Sequence, residues 1–429
     1  MQTKKKILQR IENFDPELFK VLKNALSRQI STLSLIPTDS AASPFSSYLK
    51  GSALGNDFID YRSAEHHSSL EKLARSRACE LFGAEHAILR LGNTSAANRV
   101  VFQTFAQSDD NILSFNLRKR EYCTGDQMNY FFVKFSLEPD TFRFNFDKIR
   151  ALALATKPKI IICSPVNYPK NIDYAKFRKI ADDVGAILWL DIGQNAGLIA
   201  SKKIPSPVKF ADVVTFTASD ALHGPQTGII LCKKKFADAL DKKVIETGHV
   251  SLKKNVLAAL AITFAEAGCE AYEDYSEQVL ENARALEKGL KRAGAQLMCS
   301  PTENHLVLAQ LPPNVNGELL AKKLAQANLL VKPEVFMTSN DKISYPVLRL
   351  STLDPTTRAL KANDMQKVGE TLGKFISSPQ NQAEIDAVGK IIRKMVENQP
   401  LFSEEWLPDA ESQDFDSDLM MTAMVHWRL

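Results

Sequence analysis

The stretch KIIICSPVNYPKNIDYAKFRKIADDVGAILWLD, Lys159–Asp191, reads as strand, helix, strand. Lys159–Cys163 and Ala186–Leu190 are short, continuous apolar runs, and Tyr174–Val184 between them has a helical pattern. Strands that are apolar at every position, rather than at alternate ones, are buried on both faces. Joined by a helix, they predict parallel neighbours in an α/β domain. Runs of the same kind recur at Ala87–Leu91, Asn111–Phe115, Ala211–Phe216 and Gly228–Cys232.

Outward from this centre the text changes. Residues 16–30 (PELFKVLKNALSRQI) put Leu18, Phe19, Leu22, Ala25 and Leu26 on one helical stripe. Residues 70–82 repeat the pattern through Leu70, Leu73, Ala74, Ala78, Leu81 and Phe82, with Gly83 as a stop. Helical stripes dominate 252–294, and a shorter β/α mixture follows around His305–Gln310, Leu329–Lys332 and Val347–Leu350. The shift predicts a smaller C-terminal α/β domain beginning near residue 270. After Pro379 come one helix, Glu384–Glu397, and an acidic stretch, SEEWLPDAESQDFDSD, expected to be loose.

The chain has 429 residues, 45% hydrophobic and 24% charged, which excludes a mainly disordered or fibrous class. Its 54 Lys+Arg against 50 Asp+Glu give +4, too weak a balance to imply nucleic acid or a membrane surface as partner. The basic N-terminus lacks an apolar core and no run reaches the ~20 residues of a spanning helix. The six cysteines are scattered without metal-finger spacing, so reduced thiols and a cytoplasmic, globular chain are expected.

Phosphate-loop, dinucleotide, zinc-protease and nucleophile-elbow signatures are absent from the sequence. Glu65-His66-His67 has metal-binding residue types, but adjacent histidines face different sides of a helix, and a structural or surface role is expected. Lys233–Lys235 reads as a solvated strand end rather than a phosphate clamp. Two residues say more. Asp191 closes the strand AILWLD before Ile192-Gly193-Gln194, at a carboxyl end where doubly wound sheets bind ligands. It either meets a cofactor or caps the following turn. Arg349 stands alone in the apolar run VLRLS and must find an anion, a structural carboxylate or a ligand's.

Both residues sit in longer strings. Lys159–Ala200 and PSPVKFADVVTFTASDALHGPQTGIILCKK (Pro205–Lys234) resemble serine hydroxymethyltransferase, a fold-type-I pyridoxal-phosphate enzyme. LIPTDSAASP (Leu35–Pro44), ELFGAEHA (Glu80–Ala87), ENHLVLAQL (Glu303–Leu311) and LRLSTLDPTTR (Leu348–Arg358) follow in the family's order. The resemblance, over roughly residues 15–375, implies a mostly parallel seven-stranded sheet and a homodimer with active sites at its interface. The expected division is an N-terminal helical arm over 1–34, a large pyridoxal-phosphate-type domain over 35–269, a small domain over 270–378, and a helix with acidic tail over 379–429.

Carried over residue by residue, Asp191 is similar to the aspartate that pairs with the cofactor's pyridine nitrogen. Arg349 resembles the clamp on the substrate carboxylate. Tyr122 falls where the family stacks a histidine on the ring. Thr94 and Ser95 fall in the phosphate-binding turn, and Gly248 in the remnant of a glycine-rich loop from the second subunit. Other positions depart. The Schiff-base lysine is Asp220, its histidine neighbour is Ser219, and the histidine after the strand aspartate is Gln194. The catalytic glutamate of the Tyr-x-Glu segment is Asp60. The Ser-Glu pair of the Ser-Glu-Asn motif is Thr38 and Asp39, and the arginine after Gly-Pro is Gln226.

An aspartate forms no imine, and beside an anionic cofactor a like charge at ~4 Å costs about 4 kcal/mol at an effective dielectric near 20. Three readings follow. The chain is a non-catalytic or regulatory relative with an amino-acid or carboxylate ligand on Arg349 and Thr38. Or it binds a preformed pyridoxal-phosphate–amino-acid imine non-covalently, with Asp220 or Asp60 as base. Or the pocket hosts a different, cofactor-free reaction on a carboxylate substrate.

Overall fold

The structure is a computed structural model and describes residues 2–60, 69–115, 129–164, 167–249, 251–338, 343–378 and 381–408. Seven strands build the large sheet: β1 (His86–Leu91), β2 (Asn111–Phe115), β3 (Phe131–Phe135), β4 (Ile160–Cys163), β5 (Ile187–Asp191), β6 (Val213–Thr217) and β7 (Gly228–Cys232). Their spatial order is β1-β7-β6-β5-β4-β2-β3. β2 to β6 pair in parallel, and β7 alone is antiparallel to both its neighbours. β1 therefore points the same way as β6, and the carboxyl ends of six strands share one edge.

The apolar runs have the cause expected of them. Ile161, Leu188 and Leu190 enter one core layer, while Ile160, Ile162 and Trp189 enter the layer on the opposite face. Successive side chains point to opposite faces, so a strand covered by helices on both sides needs apolar residues at every position. Six of the seven strands stand close to their expected places. β3 is the edge strand beside β2, with Phe131 exposed and its next three residues half-buried, so it lacks that signature, whereas β1 at the other edge is buried throughout.

A second sheet contains β8 (Leu297–Met298), β9 (Leu306–Gln310), β10 (Lys332–Thr338) and β11 (Ile343–Ser351), all antiparallel, in the order β8-β9-β11-β10. Its apolar face packs on the helices Glu270–Arg292, Gly317–Gln326, Ala362–Ser377 and Gln382–Val396. Where Glu270–Arg292 crosses Ala362–Ser377, a Cβ on Gly289 would lie 2.2 Å from the Gln366 carbonyl oxygen, and one on Gly369 would lie 2.4 Å from that of Leu286. Any larger side chain would push the two backbones apart.

One segment joins the sheets. Leu33–Ser34 pairs in parallel with Leu329–Leu330. The Ser351 N–H donates to the Leu35 carbonyl at 2.8 Å, and the Ser43 N–H donates to that of His223 at 2.8 Å. Residues 35–43 thus run from the end of β11 to the loop after β6.

Two findings differ from the sequence reading. The helix Pro16–Ser31 forms, but none of its residues is buried, and Leu18, Leu22 and Leu26 are 46, 41 and 54% exposed. Arg358 ties its end by donating to the carbonyls of Gln29 and Ile30 at 2.6 and 3.1 Å. The acidic stretch is not loose at its start. Ser403 bonds the Thr357 carbonyl, and buried Trp406 donates from Nε1 to the Thr356 carbonyl at 2.8 Å. The indole's apolar area and its one polar handle both find partners, which outweighs the acidic composition around it. Residues 409–429 lie outside the described residues. Among the described residues no helix is long and apolar enough to cross a membrane, and no three His, Cys, Asp or Glu stand together as a metal site. Glu65-His66-His67 falls outside them. Lys233 Nζ meets Asp212 at 2.8 Å, a structural ion pair at a strand end.

Candidate functional site

Three strand ends on the carboxyl edge of the large sheet contribute polar groups. After β1 the chain turns at Gly92 into the helix Thr94–Phe105, with Asn93 as its cap; the Asn93 Oδ1 accepts the Ala96 N–H at 2.9 Å. Thr94 is half-buried and Ser95 exposed, and both open this helix, where backbone N–H groups and the helix dipole favour an anion. The fit of β7 here demands glycine, because a Cβ on Gly228 would lie 2.1 Å from the Asn93 carbonyl oxygen.

Asp191 ends β5, is 4% exposed, and its Oδ1 accepts the Gly193 N–H at 3.1 Å. The turn-capping alternative is therefore realised, as an Asx turn rather than a long-helix cap. Gln194, just after it, is buried with Oε1 lacking a partner among the described residues.

After β6 the chain places Ser219 and Asp220 in sequence. The Ser219 Oγ donates to Asp220 Oδ1 at 3.1 Å and lies 2.7 Å from Thr217 Oγ1. A serine has one hydroxyl proton, so Thr217 is the donor in that second bond. Asp220 adopts a left-handed backbone, φ +58°, which aspartate tolerates better than most residues. Burial pushes its carboxyl up to about 6; the Ser219 bond and the Arg349 charge pull against this, and the Asp39 charge adds to it.

Arg349 comes from the second sheet. It lies on β11 between Leu308 of β9 and Lys332 of β10, and is 4% exposed. Nη1 bonds Asn167 Oδ1 and stands 3.3 Å from Glu334 Oε2, while Nε is buried without a partner among the described residues. Burial lowers its pKa, and the Glu334 and Asp220 charges oppose that. A structural acid therefore exists, yet one donor is still unmet.

His305 lies beside this arginine. Its Nδ1 is 3.0 Å from Ser351 Oγ, which also accepts the Leu353 N–H at 3.2 Å. Ser351 is two residues along β11 from Arg349 and shares its face. Burial and the nearby guanidinium push the ring's pKa down to about 3, so it is neutral, and its Nε2 is buried without a partner among the described residues.

The remaining expected residues are distributed unevenly. Thr38 is exposed in the turn after Pro37, and its neighbour Asp39 is the residue whose charge reaches Asp220 and Asp354. Asp39 Oδ2 accepts the Ser34 Oγ at 2.7 Å. The backbone of Asp60 pairs with Ser251 in a separate two-stranded ribbon, and its side chain lies outside what is described. Gly248 has φ +87° at the end of the helix Ala237–Glu246, a helix-stop conformation with its own local reason. Tyr122 lies outside the described residues. The structure brings together Asp191, Gln194, Ser219, Asp220 and Arg349. It adds Asn167, Glu334 and His305, of which Asn167 and His305 stood in quoted strings.

The sequence profile of serine hydroxymethyltransferase matches residues 11–372, a span that includes both sheets. The chain belongs to the serine hydroxymethyltransferase family. Fold-type-I serine hydroxymethyltransferases bind pyridoxal phosphate, and the α/β architecture with a mostly parallel seven-stranded sheet is theirs. The matched span holds every polar group of the strand-end site described above.

Proposed function

We propose that this member of the serine hydroxymethyltransferase family does not interconvert serine and glycine, and holds a small amino-acid or carboxylate ligand in the old pocket as a non-catalytic or regulatory homologue. The observation that carries this is the carboxylate of Asp220, after β6, together with a buried Arg349 whose Nε has no partner among the described residues.

The fit of pyridoxal phosphate decides between this and ordinary family chemistry. The first turn of Thr94–Phe105 suits a phosphate and Asp191 suits a pyridinium. Residue 220, however, offers a carboxylate instead of an amine, with Asp39 adding a second negative charge. The donor set does not fit a covalently held cofactor, and no catalytic step is assigned through one. The retained Asp191 favours one second reading, in which pyridoxal phosphate or its amino-acid adduct binds without attachment. Homodimerisation belongs to the same proposal, because the exposed Leu18, Leu22 and Leu26 leave an apolar helix face uncovered on a single chain.

The first test is calorimetric titration with glycine, L-serine and L-threonine. Arg349→Ala should weaken ligand binding by about 1.5–3 kcal/mol, the scale of a charge-assisted hydrogen bond. It also leaves Glu334 and Asn167 without their partner, so the melting temperature should fall too. Arg349→Lys preserves the charge but not the fork, and should lose affinity with a smaller loss of stability. Unchanged affinity in a folded Arg349→Lys protein would assign the arginine to the scaffold alone.

A further inference from the structure

The end of the helix Ala362–Ser377 and the start of Gln382–Val396 enclose a groove of about 220 Å³. Its floor is Phe375 and Val388, both buried, and its rim carries Ala387 and Ile391, both exposed. The polar groups at its end already have each other: Glu384 Oε2 accepts the Ser378 hydroxyl proton at 2.9 Å and the Asn381 N–H at 3.1 Å. No side-chain atom lining the groove is buried and unmet among the described residues. Such a groove asks for apolar contact and no charge. It is smaller than the ~300 Å³ at which pockets take a drug-sized ligand, and has room for one or two side chains anchored from a peptide.

The chain itself carries such a peptide. After Pro408 come ten residues, DAESQDFDSD, with five acidic side chains and no basic one, and then LMMTAMVHW, Leu419–Trp427. The segment before them is fixed beside the right helix. Lys361 caps Ala362–Ser377, and its Nζ lies 3.0 Å from Glu405 Oε1 and 4.3 Å from the centre of the Trp406 ring. From Lys361 to Lys374, at the groove, the helix rises ~20 Å at 1.5 Å per residue. Ten extended residues span up to ~33 Å, so Leu419–Trp427 reaches the groove of its own chain. Lys367 and Lys374 are exposed and stand two turns apart on one face of that helix, which sets positive charge along the way for the acidic run. We propose that Leu419–Trp427 docks in this groove with Trp427 as its anchor, and that Asp409–Asp418 follows Lys367 and Lys374. Docking covers the apolar floor that the two helices leave open.

The test is tryptophan fluorescence of the full chain. The sequence has three tryptophans, and Trp189 and Trp406 are buried. Subtracting the emission of Trp427→Phe from that of the wild type therefore isolates residue 427. Docking predicts a difference spectrum at shorter wavelength than that of the unfolded protein, with acrylamide quenching reduced severalfold. Ile391→Glu puts a charge on the groove's rim at an exposed helix position, where it repels the acidic run and leaves the core alone. It should move the Trp427 emission to longer wavelength and restore quenching severalfold. Ala387→Glu, one turn earlier on the same rim, reads the same outcome if Ile391→Glu does not fold. A freely quenched, solvent-exposed Trp427 in the wild type would overturn the proposal by itself. Shielding that survives in a folded Ile391→Glu protein would overturn it too, by seating residue 427 elsewhere, the exposed apolar face of Pro16–Ser31 included. Shielding lost on dilution would give the groove to the tail of a second copy and overturn docking within one chain.

Discussion

Asp220→Lys acquires pyridoxal phosphate as a borohydride-reducible adduct at residue 220, while showing no interconversion of serine and glycine. The substitution removes a like charge worth about 4 kcal/mol at ~4 Å and supplies an amine beside the aldehyde. The supporting groups are in place: Asp191 buried at the end of β5, and the helix Thr94–Phe105 opening at the same edge. Turnover does not return, because Gln194, Ser219 and Asp60 keep their identities. Lysine tolerates the left-handed conformation at φ +58° less well than aspartate, so the variant should be about 1 kcal/mol less stable. Peptide mapping after reduction reads the outcome. A folded variant that takes no label would show that the cradle has decayed along with the anchor.

Glu266→Gln has the next largest effect, and it depends on pH. Glu266 ends the helix Lys254–Glu266 and is 7% exposed. Its Oε2 accepts the Ser43 hydroxyl proton at 2.8 Å, and Oε1 is buried without a partner among the described residues. Burial pushes this carboxyl up to about 7 from an ordinary 4.5. The folded state therefore prefers it protonated. That preference costs nothing below the unfolded value, and stability is lost as the pH rises from there through about 7. The gap corresponds to roughly 3 kcal/mol at most. Asp354 and Asp220, each pushed up to about 6 by burial, act in the same direction, but they cancel when wild type and variant are compared. Denaturant unfolding should give similar stabilities near pH 5, with the variant more stable by about 2–3 kcal/mol near pH 8. Parallel pH profiles for the two proteins would contradict the assignment. The site feels this residue because Ser43 caps the helix Pro44–Lys50 and ties residues 35–43 to the loop carrying Asp220.

The sequence made the large sheet legible because burial on both faces writes itself as uninterrupted apolar text. Ile160–Ile162 and Leu188–Leu190 are examples, and β3 escaped because Lys134 interrupts its apolar text and only Phe135 of it is fully buried. The resemblance located Asp191, Asp220 and Arg349, and the structure groups them. It could not show that Arg349 already holds Glu334, since Glu334 is set two positions along a neighbouring strand by a register that no local pattern encodes. His305 was hidden for another reason. A buried histidine reads as core until its Nδ1 is seen against Ser351 beside Arg349, with Nε2 buried and without a partner among the described residues. Trp406 shows the same limit in the acidic tail. Composition averages over a stretch, whereas one indole with a partner for its N–H fixes the local structure.

The central claim is that this serine hydroxymethyltransferase-family pocket has no lysine anchor. Borohydride reduction of the wild-type protein with pyridoxal phosphate, followed by peptide mass mapping, tests it most directly. No single lysine should carry a stoichiometric phosphopyridoxyl group, and residue 220 should carry none. Specific, stoichiometric labelling of one lysine would contradict the account and restore a covalently held cofactor to the site.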